Sequence, residues 1–156
     1  MNKLDLMKDK KFMFGAVLIV ANRMDTLLER ELKEYDVTAK QWFLTVVIDN
    51  SFDESPTIKE IAREMGSSHQ NIKQVALKLE QKGLLVLEKD SKDARVTRLK
   101  LTEECYKFSQ VIQSRATNFT QALFDGIEEE DMSKARSTLQ RMMANLIKMD
   151  QGDKAE

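Results

Sequence analysis

The side chains able to do chemistry gather in two short stretches of this 156-residue chain, "SSHQNIKQVALK" (residues 67–78) and "DSKDAR" (residues 90–95). At helical spacing His69, Gln70, Lys73, Gln74 and Lys78 fall on one face, with Ser68 and Asn71 in the same opening turns and no acid before Glu80. Carboxamides such as Gln70 and Asn71 can pair with adenine through two hydrogen bonds, a contact that discriminates by roughly 1–3 kcal/mol. Lysines replace the counterions condensed on a phosphate backbone. Ser67, beside the unpaired N–H groups that open a helix, suits a phosphate. In the second stretch Lys92, Asp93 and Arg95 sit at the tip of a charged loop. Residues 57–101 hold ten Lys or Arg against six Asp or Glu, a local charge of +4 in a chain whose total is −1. A basic segment inside an acidic body points to a patch for a polyanion. The plain alternatives are a solvated helix surface and an ordinary hairpin ion pair.

Other chemistries find too few residues. His69 is the sole histidine and Cys105 the sole cysteine, which excludes an internal disulfide and a His- or Cys-rich zinc site. No phosphate-cradling Gly loop, H-E-x-x-H, C-x-x-C or nucleophile elbow occurs, so no enzyme, cofactor or metal is expected. Cys105 falls in the first turn of a helix, where the dipole favours thiolate. Glu103 and Glu104 oppose that effect, and a small packing residue is the expectation.

The scaffold that must position the two stretches is mainly helical, since Gly and Pro together number six while helix-forming residues abound. Met13, Val17, Val20, Met24 and Leu27 recur at spacings of four and three, continued by Leu28 and Leu32, which predicts one long helix over about the first 33 residues. Its apolar run "FMFGAVLIVA" is too short to span a bilayer, and with acids upstream of it a cytoplasmic protein is expected, with no membrane partner. "TAKQ" has the form of a capping box opening a second helix at Thr38, with Trp42, Phe43, Val46 and Val47 as its core face. Thr57 and Glu60 form another box, Ile58, Ile61, Ala62 and Met65 a short buried face, and Gly66 a stop. Ser67 and Gln70 give a third box, opening a helix to about Lys82 with Ile72, Val75, Ala76 and Leu79 inward. Two helices so close around a Gly form a helix-turn-helix candidate. "LLVLEK" and "RVTRLKL" then read as strands of a hairpin turning at "DSKDA". Such a helix could enter a major groove while the hairpin reaches the neighbouring sugar-phosphate backbone. Thr102 caps a further helix, and Met132, Ala135, Leu139, Met142, Leu146 and Met149 form a heptad seam in a last one.

The run "IKEIAREMGSSHQNIKQVALKLEQKGLLVLEKDSKDARVTRLKLTEE" resembles the MarR family of bacterial winged-helix transcriptional regulators. It follows the family's order of helix, recognition helix, "LE-x-K-G-L", a wing containing "D-x-R", and a closing "LT". Ala94 stands where the wing often has a middle Arg, and Cys105 where "LT-x-x-G" has Gly. The resemblance implies a mainly α (α+β) fold: a winged helix-turn-helix lobe at residues 34–101 with a small hairpin wing. Helical dimerisation regions would flank it at residues 1–33 and 102–150, ahead of a flexible tail at 151–156. It also implies that Arg95 enters the minor groove while Asp93 braces it, and that the partners are double-stranded DNA and a second copy of the chain. Such proteins often bind a small aromatic or anionic effector, for which Phe14, Met24, Trp42 and Phe43 could line a cleft if they are not simply core. Repression through a palindromic operator is the expected outcome, and a winged helix used for protein contact without DNA readout is the alternative.

Overall fold

The chain folds as a 3-10 turn (Lys3–Leu6), α1 (Asp9–Leu32), a second 3-10 turn (Lys33–Tyr35), α2 (Ala39–Ser51), α3 (Ile58–Glu64), α4 (His69–Gln81), β1 (Leu85–Lys89), β2 (Thr97–Leu101), α5 (Glu103–Leu123) and α6 (Glu129–Gly152). The structure is a computed structural model and describes residues 3–152. It comprises two units divided between Gln113 and Ser114, so the first half of α5 belongs with the helix-turn-helix and hairpin.

Local signals set most boundaries in the first unit. Thr38 Oγ1 accepts from the Gln41 N–H at 3.1 Å while Gln41 Oε1 accepts from the Thr38 N–H at 3.3 Å, completing the capping box. Thr57 and Glu60 repeat it, at 3.2 and 2.7 Å. At the end of α3, Gly66 takes φ +60°, a left-handed conformation that costs any residue with a Cβ. The Gly66 and Ser67 N–H groups then bond back to the Arg63 and Ala62 carbonyls at 3.3 and 2.9 Å. This termination uses up Ser67, so the cap expected there moves one residue on. Ser68 Oγ accepts from the Asn71 N–H at 3.1 Å and α4 starts at His69. Gly83 ends α4 in the same way, at φ +72°.

These helices close over one core. Leu44 of α2, Ile61 of α3, Ile72, Ala76 and Leu79 of α4, and Leu85 and Leu99 of the hairpin are each at most 2 % exposed. Full burial of such side chains contributes about 1.5–3 kcal/mol apiece relative to exposure. The buried face of α2 is Ala39, Gln41, Leu44, Thr45, Val47 and Ile48; of the face expected, Val47 is buried and Trp42 and Val46 are half-buried, while Phe43 turns away. Phe43 is 48 % exposed, because one step along a helix turns a side chain by about 100° and Leu44 already occupies the inward direction. The two strands pair antiparallel with Leu87 opposite Leu99 and Glu88 opposite Arg98, burying Leu85, Leu99 and Leu101 against the helices.

The terminal helices differ. In α1 only Leu32 is buried, while Phe14, Leu18, Ile19, Val20 and Leu27 lie open. In the second unit, α5 turns through Gly126 (φ +71°) into α6, where Leu139, Met143, Leu146, Ile147 and Met149 are all exposed. Helix α6 runs on to Gly152, and the rest of the tail expected from residue 151 lies outside the described residues. Among the described residues no helix is long and apolar enough to cross a membrane.

Candidate nucleic-acid interface

Helix α4 presents a mainly polar face because most of its apolar residues turn inward. Ile72, Ala76 and Leu79 are buried, which turns Gln70, Lys73, Gln74 and Lys78 to solvent together with His69 and Asn71. Ser68 is exposed but spends its hydroxyl on capping. Ser67, expected to help hold a phosphate with free helix N–H groups, donates its own N–H to Ala62 and has no spare backbone donor. Glu80, the first acid beyond this face, is drawn off it: its Oε1 accepts from the Leu87 N–H at 3.1 Å. Lys82, at the end of α4, is tied down, since its ammonium contacts both the carbonyl and, at 3.5 Å, the carboxylate of Asp36.

The hairpin tip is built on paired charges. Arg95 donates through Nε and a terminal guanidinium nitrogen to the two carboxylate oxygens of Asp93, at 3.0 and 3.1 Å, and its backbone N–H adds a third bond at 3.0 Å. The Arg95 guanidinium first, and its N–H second, hold the Asp93 carboxyl below the ordinary carboxylate range. The Arg95 side chain is nonetheless 90 % exposed, a cation aimed into solvent with its rotamer fixed. Fixing it in advance lowers the entropy lost when a guanidinium enters a groove. Lys92 is exposed beside it.

Two residues that the sequence reading passed over support this tip. Asp90 Oδ2 accepts from the N–H groups of Lys92 and Asp93, both at 3.0 Å, and Oδ1 accepts from Arg98 Nε. Arg98 also donates to the Ser55 carbonyl at 2.8 Å, joining the wing to the loop before α3. The Arg98 guanidinium, then those two N–H groups, lower the Asp90 pKa. Strand register alone pairs Arg98 with Glu88, its direct neighbour. In the sheet the contact runs diagonally to Asp90, and Lys100 likewise meets Glu88 at 3.9 Å. Strand twist brings such diagonal partners within reach of long side chains, a signal absent from the charge pattern itself.

The residues considered for an effector are scattered in their exposure. Trp42 is half-buried between the main core and a smaller one around Leu32, Ala39 and Ile112, and Met24 is half-buried on α1. Phe14 is 71 % and Phe43 48 % exposed. None of the four lines a cleft of about 820 Å³ that opens elsewhere in the first unit, where Asp49, Asp53, Glu54, Glu88 and Glu103 give an acidic rim around Tyr106. Cys105 is buried among core residues, and burial pushes its thiol up despite the neighbouring Thr45 and Ser109 hydroxyls.

Comparison with known proteins agrees with this architecture. The sequence pattern of the MarR family matches residues 35–96, from the turn before α2 to the end of the wing loop. A MarR/EmrR family transcriptional regulator from Acinetobacter sp. ADP1 superposes with a TM-score of 0.79 at 15 % identity, covering 91 % of this chain and 99 % of its own. A MarR transcriptional regulator from Methanosarcina mazei Go1 gives 0.76 at 18 %, covering 89 % and 99 %. MepR of S. aureus, whose structure is a complex with DNA, gives 0.74 at 20 %, covering 90 % and 99 %. At these identities the superpositions establish a shared fold.

Proposed function

We propose that this chain is a DNA-binding transcriptional regulator of the MarR family, whose pattern its segment 35–96 matches, and that it reads a palindromic operator as a homodimer and acts as a repressor. The observation that carries the reading is the pairing of two features in one lobe. One is an α4 face of His69, Gln70, Asn71, Lys73, Gln74 and Lys78 cleared of acids, and the other is an Arg95 held outward by Asp93. In this reading α4 lies in the major groove, with Gln70 and Asn71 at base edges and the lysines on phosphates. Ser67 and Ser68 approach the backbone at the head of the helix. Lys92 and Arg95 reach the neighbouring groove and its backbone, and Asp93 serves only to orient Arg95.

Dimerisation is supported by the apolar side chains left exposed along α1 and α6, since contiguous exposed apolar surface commonly marks an interaction site. A twofold pair would place its recognition helices about one helical turn apart. Occupying such a site in the cytoplasm blocks polymerase. A small aromatic or anionic effector held near Met24 and Trp42, with Phe14 and Phe43 at its rim, would release the DNA by favouring a spacing that no longer matches the groove.

Enrichment of random duplexes on the purified protein, followed by sequencing, tests the reading. The expected product is a palindrome with half-sites about 10 bp apart, bound with an affinity that falls steeply with salt. Gln70→Ala and Lys73→Ala should each change the preferred bases as well as the strength. Equal losses on specific and random duplexes would remove them as readers. A shallow salt dependence and no enriched sequence would favour a protein-contact module instead.

A further inference from the structure

Arg98 and Asp90 make contacts that neither strand pairing nor the minor-groove role of Arg95 requires. Arg98 lies on β2 and is half-buried, with 35 % of its side chain exposed, and the Asp90 carboxylate is 13 % exposed. One guanidinium therefore bridges the carboxylate at the base of the wing and the carbonyl of Ser55, 43 positions earlier in the chain. The attachment is reinforced on the backbone, where the Leu99 N–H donates to the Pro56 carbonyl at 2.8 Å and Thr57 and Arg98 form an isolated bridge. From Asp90 the chain of contacts continues outward: Oδ2 takes the Lys92 and Asp93 N–H groups, and Asp93 in turn takes the backbone N–H and guanidinium of Arg95. Ser55 and Pro56 lie directly before Thr57, the cap of α3, which packs on α4.

We infer that Arg98 and Asp90 are positioning residues that fix the reach of Arg95 relative to the recognition helix, so that DNA affinity depends on a pair of side chains that need not touch DNA. The inference rests on the DNA-binding reading above. Its chemistry is that of a forked donor. A guanidinium can serve a carboxylate and a carbonyl at once, in directions set by its plane, whereas an ammonium of the same charge is a point donor on a flexible stem. Helix α4 takes its placement chiefly from buried side chains instead.

The test titrates the operator found by enrichment with wild type, R95A, D90N, R98K, R95A/D90N and R95A/R98K. Thermal melting and amide exchange of α4 serve as controls for folding. The expected result is that D90N and R98K each weaken binding by roughly three- to tenfold, no more than R95A does. Neither change weakens R95A further, and α4 exchange stays at its wild-type level. Direct phosphate contact by Arg98 predicts the opposite pattern. R98K would then bind like wild type, and D90N would bind as tightly as wild type or more so, having lost a negative charge near DNA. That pattern overturns the inference and leaves the DNA-binding reading standing. Losses that persist in full in the R95A background, or that come with raised α4 exchange, also overturn it, by showing a general structural role. A wild-type protein that binds no duplex overturns both.

Discussion

Helix α4 is held by Ile72, Ala76 and Leu79, each at most 2 % exposed, whereas the wing tip is held by Asp90, Asp93, Arg95 and Arg98, all of which reach solvent to some degree. The two halves of one proposed interface are thus positioned by different forces. Burial of apolar surface is unaffected by charge screening and by protonation and tolerates little change of shape. Ion pairs in solvent are screened and titratable, and they leave the element they hold more easily moved. In the proposed interface the α4 half is therefore the rigid one and the wing half the adjustable one. Each force can be attacked separately.

The largest effect should come from the buried half. Leu79→Ala removes a fully enclosed side chain from the middle of the core. It should cost about 2–5 kcal/mol in urea unfolding and abolish DNA binding with the fold. An unchanged denaturation midpoint would mean that α4 is not anchored as described. On the charged half, Arg95→Ala should leave the midpoint unaltered, since the side chain is 90 % exposed, yet weaken binding by roughly five- to tenfold on every sequence alike. If it shifted which operator is preferred, the wing would be a reader rather than a clamp. Ser68→Ala deletes the cap of α4 and should cost about 1 kcal/mol of stability, a local loss between the two extremes.

Acid gives the smallest and most selective effect. Asp90 and Asp93 both have folded-state pKa values below the ordinary 3.8, the first chiefly through Arg98 and the second through Arg95. Their ordering of the wing is therefore complete above the ordinary carboxylate range and is lost as pH falls through their lowered values. Amide exchange at Lys92, Asp93 and Arg95, corrected for intrinsic rates, should rise on acidification before exchange at Ala76 and Leu79 does. Simultaneous release of both sets would show that the wing and α4 form one cooperative unit.

Much of this organisation was legible in the residues alone. Capping boxes at Thr38 and Thr57, the stop at Gly66 and the inward face of α4 all depend on neighbours within a few positions, whereas the bracing of Arg95 by Asp93 came from the family resemblance. The backbone conformations they require are dictated locally. On α2 only Phe43 departs outright from the expected inward face, because it is as apolar as the residues that pack and periodicity gives no absolute phase where neighbouring positions are all apolar. The cap at Ser68 was misplaced by one residue because the termination of α3 and the start of α4 compete for Ser67, a competition visible only once the Gly66 turn is formed.

The sequence by itself determined which segments are helix or hairpin, where they stop, and which side chains of α4 and the wing tip carry donors and charge, because short-range sterics and hydrogen bonding settle those matters. Only the tertiary structure decided that Arg98 reaches Asp90 and the Ser55 carbonyl instead of Glu88, that Lys82 is bound to Asp36, and that Glu80 is turned away to Leu87. Each of those pairings joins residues that strand twist or helix packing brings together across the fold, and a long charged side chain takes whichever partner lies within reach.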